Sequence, residues 1–346
     1  MSKSTKALAI TMAICGATAL TPAYAKTLEV QSVYPNNMLY QGESSLRFAE
    51  QLEAVTGGDL KVKVFSANEL VPSFEVFDAV SSGAIEAGWD WTSYWGSKIP
   101  VANLIGAMPF GPQGEVFVGW MYQGGGLELL REAYAPYDVV PVPCHLTAPE
   151  PGGWFNVEIN EPGDLKGLSM RIGGLGAKVV EKLGVTPLLI PGGEVYLALE
   201  RGRIDAAEFS HPSLDRQLGL PEVGKYYYFP GWHQPGSWNS LLVNKTTWEG
   251  LTDAQRAAIE TTCQANVLWS LYAINALQGD ILVELEKEGV EVREFPETVM
   301  AALKTATDET LAEQAEQDEL FKRALDSINA YVASVDVWNA KVLPRK

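Results

Sequence analysis

Positive charge is scarce in this chain. Lysine and arginine number 26 against 43 aspartates and glutamates, a formal net charge of −17 at pH 7. A chain this acidic repels phosphate backbones and anionic lipid surfaces, which argues against nucleic acid or membrane-surface partners. Histidine is sparse too, with only His145, His211 and His233, and no HExxH motif sets two of them on one helix face. The GxSxG elbow of serine hydrolases is absent, and so is a complete GxGxxG dinucleotide loop. Gly173-Gly174-x-Gly176 is a fragment of the latter, and its glycines more simply let backbone approach a small ligand. Beyond residue 25 no apolar run reaches the ~18 residues that a spanning helix needs.

The first 25 residues differ from the rest. Lys3 and Lys6 precede an apolar run from Ala7 to Leu20, and Ala23-Tyr24-Ala25 is a small-x-small cleavage site, so 1–25 reads as a secretory signal peptide. Cys15 lies within it, but the preceding Ile14 is not the small residue of a lipoprotein site, so a soluble secreted protein starting near Lys26 is expected. Loss of the two lysines makes that protein still more acidic, and an anion receptor with such a field needs a local cation. Cys144 and Cys263 remain. An oxidising compartment permits a disulfide. Nothing in the sequence brings the two together, and the expectation is a pair of buried thiols packed as small apolar groups.

The 346 residues, 47% hydrophobic and 20% charged, suffice for two core-bearing lobes. Leu28 to Val33 reads as a strand. A helix capped by Ser44 or Ser45 follows, with Phe48, Leu52 and Val55 on its apolar face and Gly57-Gly58 at its end. Leu60, Val62 and Val64 alternate as a second strand. A helix from Ser73 through Phe77 and Val80 closes at Gly83, and Ala84 to Trp91 is a third strand. This β-α-β-α-β order implies a parallel, doubly wound lobe. After a stretch rich in proline and glycine the pattern repeats. There is a strand at 168–172, a helix to Gly184, an extended segment from Pro187 to Ile190, a helix from near Glu194 to Gly202, and a strand from Ile204 to Phe209. The last third is helical: Thr252-Asp253-Ala254-Gln255 is a capping box, its helix runs on toward Gly289, and a final segment follows Pro296. The divisions are 26–148 for the first lobe, with a return segment near 232–252, 149–231 for the second, and 253–346 for helices that complete the lobes.

The ends of two strands carry the chemistry. In Leu168-Ser169-Met170-Arg171-Ile172 the two-residue period sends Leu168, Met170 and Ile172 to one face and Arg171 to the other. A guanidinium fork there matches a carboxylate with two parallel hydrogen bonds. Glu208 ends the other apolar strand, where a buried carboxylate must be paired. If Arg171 instead pairs with a structural acid, Glu194 and Glu208 are both candidates. Ligands of open α/β sheets sit outside the carboxyl ends of strands, where Tyr94 and Trp95 also fall. Trp89, Trp91, Trp154 and Trp232 read as core.

The stretches FAEQLEAVTGGDLKVKVF (48–65), ELVPSFEVFDAVSSGAIEAGW (69–89), GGWF (152–155), LKGLSMRIGGLG (165–176), PGGEVYLALERGRIDAAEF (191–209) and YYYFPGW (226–232) together resemble the periplasmic solute-binding proteins of TRAP (tripartite ATP-independent periplasmic) transporters. The branch most similar takes 2-oxo and 2-hydroxy monocarboxylates with a metal ion. The resemblance implies an α/β, two-lobed periplasmic binding protein fold with long C-terminal helices. It also implies closure on a small carboxylate ligand, delivery to an integral membrane permease, and room for a homodimer along the final helix. Arg171 matches the arginine that pairs with the substrate carboxylate, and Glu208 the acid at the metal. Phe209 stands where tryptophan is usual, serving through its carbonyl. Glu150 stands where a metal-binding glutamine is frequent and Gln234 where a glutamate is, as if amide and carboxylate had traded places. Ser210 and His211 replace a usual Val-Gly.

The expected substrate contacts are therefore Arg171, Glu150, Tyr94, Trp95, Phe209 and Gln234, and the expected metal ligands Glu208, Glu150 and Phe209. That all-oxygen shell suits calcium or sodium better than zinc. Glu208-x-x-His211 does not have helical spacing, because Pro212 follows directly, and the three histidines are expected to line or rim the cleft. The competing class is a secreted metal-dependent hydrolase or lyase built on Glu150, Glu208 and the histidines, with an open metal position for water.

Overall fold

The structure is a computed structural model that describes residues 26–342. The leader read at 1–25 and the last four residues lie outside that range. Among the described residues no helix is long and apolar enough to cross a membrane. Among the described residues eleven strands form two sheets. They are β1 (Lys26–Ser32), β2 (Leu60–Phe65), β3 (Ala87–Trp91), β4 (Val139–Thr147), β5 (Gly153–Phe155), β6 (Ser169–Arg171), β7 (Thr186–Leu188), β8 (Ala206–Ala207), β9 (Tyr226–Phe229), β10 (Ser237–Asn244) and β11 (Glu291–Glu294).

The first sheet has the order β2-β1-β3-β10-β4. Its β1, β2 and β3 are parallel, as the alternating helices demand, while β10 returns from far along the chain and pairs antiparallel with both β3 and β4. The second sheet has the order β11-β9-β5-β8-β6-β7 and is mixed. Within it the parallel pairing of β6 with β8 sets Met170 opposite Ala206 and Arg171 opposite Ala207. Met170 and Ile172 are buried in the core of this lobe and Arg171 turns the other way, as their alternation predicts. Left-handed backbone at Gly83 (φ +75°) and Gly184 (φ +85°) closes the helices before them, a conformation that costs glycine nothing.

Three local expectations are corrected. The first helix is Gln41–Val55, starting ahead of both serines read as its cap. The backbone N–H of Tyr40 is satisfied by Glu43, which frees Ser44 for buried contacts. The helix behind the Thr252–Gln255 box, whose reciprocal bonds are present, ends at Asn275, and a separate helix runs Gln278–Lys287. Cys144 and Cys263 form a disulfide instead of two free thiols. It joins β4 to the face of the helix Asp253–Asn275 that packs on it, across a sequence separation of 119.

Two long helices finish the described chain. Glu297–Gln317 places Val299, Leu303 and Ala306 in the core of the second lobe. Glu319–Val342 crosses back and buries Phe321, Ala324 and Ile328 in the first.

Replacing both Cys144 and Cys263 with alanine removes a cross-link over a long loop and should cost about 2–5 kcal/mol of stability. Urea unfolding of the double variant, and of the reduced wild type, measures it. An unchanged midpoint in both would mean that the bridge adds nothing.

Candidate functional site

Between the two sheets lies a cavity walled by both lobes. Tyr34, Gln41, Trp91, Tyr94, Thr147, Ser237 and Asn239 come from the first lobe, and Glu150, Arg171, Phe209 and Gln234 from the second lobe and the strands that join them. The volume open to a water centre is about 20 Å³, against the ~10–15 Å³ that one water needs. All of its lining residues but the half-buried Tyr94 are buried.

Arg171 anchors the second-lobe wall. The β6–β8 register brings Glu208 alongside it, with the Glu208 N–H donating to the Arg171 carbonyl at 3.1 Å. Arg171 Nη1 donates to the Glu208 carbonyl at 2.6 Å and to its Oε1 at 2.8 Å, and Nε donates to the Ile190 carbonyl at 3.2 Å. Those bonds leave Nη2 uncommitted. Phe209 lies under the guanidinium, 4.9 Å from its ring centre, a cation–π contact that also fixes the plane of the fork. Gly192 allows this, because a Cβ there would stand 2.1 Å from the Phe209 ring. Glu208 and Glu194 were both candidate partners for Arg171, and Glu208 is the one that pairs.

A second cluster adjoins the pair. Carboxylate oxygens of Glu150 and Glu208 and a ring nitrogen of His233 lie within 4.8 Å of one another, all three residues buried. His233 Nε2 is 3.6 Å from Glu150 Oε2 and 3.4 Å from Glu208 Oε2. Glu150 Oε2, Glu208 Oε2 and both ring nitrogens of His233 have no hydrogen-bond partner. Such orphaned groups are costly when buried, and their convergence fits a cation. The two carboxylates suit a hard ion, and the imidazole adds a nitrogen that the expected all-oxygen shell did not contain. Gly231 lets the loops approach this closely, since a Cβ there would meet the Glu150 carbonyl oxygen at 1.6 Å.

The charges settle accordingly. Burial pushes the Glu150 carboxyl up to about 7 even beside His233. Burial opposes an imidazolium at His233, yet the adjacent Glu150 and Glu208 prevail and lift it to about 9, so without a metal the ring is itself the cation between the two carboxylates, and an ion held through a ring nitrogen would have to displace that proton. Burial raises Glu208 as well, but the Arg171 charge outweighs it and holds the carboxyl below its usual range.

Of the residues expected at the site, Arg171, Glu150, Tyr94, Phe209 and Gln234 line the cavity, with Glu208 directly behind Arg171. Glu150 and Gln234 are neighbours there, the Glu150 N–H donating to the Gln234 carbonyl at 3.2 Å. Trp95 is elsewhere. The short helical turn Thr92–Trp95 sends Tyr94 to the cavity and Trp95 into the first-lobe core, where it stacks on Phe77 at 5.3 Å and donates to Asp90. His233 is at the cleft, whereas His145 and His211 are buried against Ser44 and the Ala148 carbonyl. Tyr34, Gln41, Thr147, Ser237 and Asn239 were not anticipated. The alternation of Ser237 and Asn239 around Trp238, and of His145 and Thr147 around Leu146, was the available signal.

Fold and site together define a two-lobed binding protein that closes over a small anionic ligand. The chain belongs to the bacterial extracellular solute-binding proteins of family 7, DctP, whose family model matches residues 31–318. It is similar to a monocarboxylate 2-oxoacid-binding periplasmic protein of Nostoc sp., 38% identical over 292 residues, 84% of this chain and 80% of that protein. Among solved structures it is similar to a TRAP transporter solute-binding protein from Bordetella bronchiseptica, a mixed-occupancy dimer with copurified calcium and picolinate. That likeness has 32% identity and a TM-score of 0.89, covering 92% of this chain and 95% of the other. It also resembles one from Pseudoalteromonas atlantica with bound sodium and pyruvate, with 33% identity and a TM-score of 0.88, covering 92% of this chain and 97% of the other. The metal in these neighbours is thus calcium or sodium, bound together with a small carboxylate.

Glu208→Ala should leave Arg171 buried and unpaired, lowering stability by about 3–5 kcal/mol. Chemical unfolding of ligand-free protein measures it, and a loss under about 1 kcal/mol, the range of exposed pairs, would mean that water reaches the pair freely.

Proposed function

We propose that this protein captures a small 2-oxo or 2-hydroxy monocarboxylate in the periplasm, together with a metal ion, and passes it to a TRAP-type membrane permease. The observation that carries this reading is Arg171, a buried guanidinium with Nη2 uncommitted at the wall of a cavity closed by both lobes. Arg171 grips the carboxylate, and Glu208 and the Phe209 ring hold the fork in plane. Glu150, Glu208 and the Phe209 carbonyl hold the metal, with His233 at its edge. The metal supplies a positive charge that draws in the oxygen next to the carboxylate. Tyr94 and Gln234 shape the remaining wall. The Nostoc relative's description and the carboxylates in the two solved neighbours, pyruvate and picolinate, support this ligand class.

Binding then works by population shift. Contacts to the acid from both lobes exist only in the closed state, so the ligand favours closure by its differential affinity. The acid leaves unchanged, in keeping with a family of solute-binding proteins, whereas the alternative of a metal-dependent hydrolase or lyase requires product. Secretion into the periplasm agrees with the leader and with the family. A homodimer agrees with the exposed Val337 and Trp338 on the last helix, 68% and 65% accessible, and with the dimer of the Bordetella neighbour.

Thermal unfolding of the mature protein with a panel of small carboxylates, with and without calcium and after chelation, tests the reading. A 2-oxo acid at a hundredfold excess over its Kd should stabilise by about 2.7 kcal/mol, and chelator should abolish the gain. No shift with any monocarboxylate overturns the ligand class, and product formation overturns the binding role.

Arg171→Lys keeps the charge but loses Nη2 and the bonds through Nε and Nη1 that aim it, so affinity should fall by about tenfold or more with the fold intact. Calorimetry decides this, and unchanged affinity refutes recognition through Nη2.

A further inference from the structure

Behind the first-lobe wall runs a chain of buried polar groups that touches neither Arg171 nor the carboxylate cluster. It begins at Asn266 on the helix Asp253–Asn275, next to the disulfide, and ends at Thr147 on the cavity. The two hydrogens of Asn266 Nδ2 are shared among three acceptors, the Cys144 carbonyl at 2.9 Å, the Ser44 carbonyl at 3.2 Å and Ser44 Oγ at 2.7 Å. Carbonyls only accept, so they fix which end of the amide faces this way.

The direction of each later bond follows. Ser44 Oγ accepts from Asn266, and the one other polar contact of its hydroxyl is His145 Nδ1 at 3.0 Å, to which it donates. Nδ1 is therefore an acceptor, and the neutral ring carries its proton on Nε2. Nε2 donates to Thr147 Oγ1 at 3.3 Å. The reverse order would put a proton on Nδ1 and leave the Ser44 hydroxyl without an acceptor at a position with no solvent exposure. Burial, reinforced by His211, keeps the ring neutral by pushing it down to about 3.

The Thr147 hydroxyl thus accepts from His145, and its own proton has no partner within the protein. It stands at the end of β4 opposite Ser237, and both residues line the cavity. We infer that Thr147 is a fixed hydrogen-bond donor to an oxygen of the bound acid, its proton turned into the cavity by the relay Asn266–Ser44–His145. This rests on the cavity being the carboxylate site. It adds a contact from the first lobe opposite the Arg171 grip, made only when the lobes are closed. Asn266, Ser44 and His145 are positioning residues that act through Thr147.

Two measurements on the mature protein test this. The chain has three histidines, so two-bond proton–nitrogen spectra of histidine-labelled protein resolve each ring, with His145 assigned by its loss in His145→Gln. The expected pattern is the Nε2–H tautomer, and an Nδ1–H tautomer overturns the relay. Calorimetry with pyruvate and calcium gives the second readout. Thr147→Val, of the same shape, should weaken binding by up to about tenfold, the size of one neutral hydrogen bond, and Thr147→Ser should recover most of it. Ser44→Ala, outside the cavity, should weaken it severalfold without changing its metal dependence. Equal affinity in Thr147→Val and wild type overturns the donor role. If wild type binds no 2-oxo acid, the functional reading falls, and the tautomer alone decides the relay.

Discussion

A buried ion pair between Arg171 and Glu208 is the constraint on which the rest of the site depends. Removing two charges from water costs several kcal/mol each, and their attraction repays this only when the geometry is good and the remaining donors and acceptors are satisfied. Here Glu208 accepts from Arg171 and from the Gly173 N–H, while Arg171 also donates to two backbone carbonyls. The strand register that creates these contacts, Arg171 opposite Ala207, belongs to the sheet itself. The guanidinium is therefore held rigidly by the fold itself, which in the proposed role leaves little entropy to lose in orienting it.

What the pair leaves over defines the occupant. One oxygen on each of two carboxylates and both nitrogens of an imidazole ring are buried near the interface of the lobes without a hydrogen-bond partner, beside a guanidinium whose Nη2 is not used by Glu208 or Ile190. A protein interior does not keep such groups for stability alone, since apolar residues of similar size would cost less. In the proposed function an acid paired with a cation would satisfy both sets together, and the cation would offset the surplus negative charge of the chain. In a field of net charge −17 a lone arginine attracts an anion weakly at a distance.

Periodicity made much of this legible. The alternation around Met170 placed Arg171 off the core face, and the order of strands and helices implied the parallel part of the first sheet, because both follow from local backbone geometry. Errors arose where a side chain had two neighbourhoods to choose from. Trp95 follows a strand end, yet it packs on Phe77 because the turn rotates it away from Tyr94. Ser44 looks like a cap and serves a buried network instead. His233 was read only as lining or rimming the cleft, and it lies between two carboxylates that are 83 and 25 residues away from it in the chain.

By itself the sequence determined the chemistry available: an acidic chain, one arginine at an apolar strand end, carboxylates at Glu150 and Glu208, and the helix and strand periods that make two lobes. Local periodicity is encoded within a few residues, so it survives without tertiary context. Only the tertiary structure decided which groups meet. It joined Cys144 to Cys263, chose Glu208 over Glu194 for Arg171, brought Glu150, Glu208 and His233 to one point, and laid the path from Asn266 to Thr147. Those contacts span tens to hundreds of residues, and their selection depends on sheet register and interlobe packing, which no local pattern specifies.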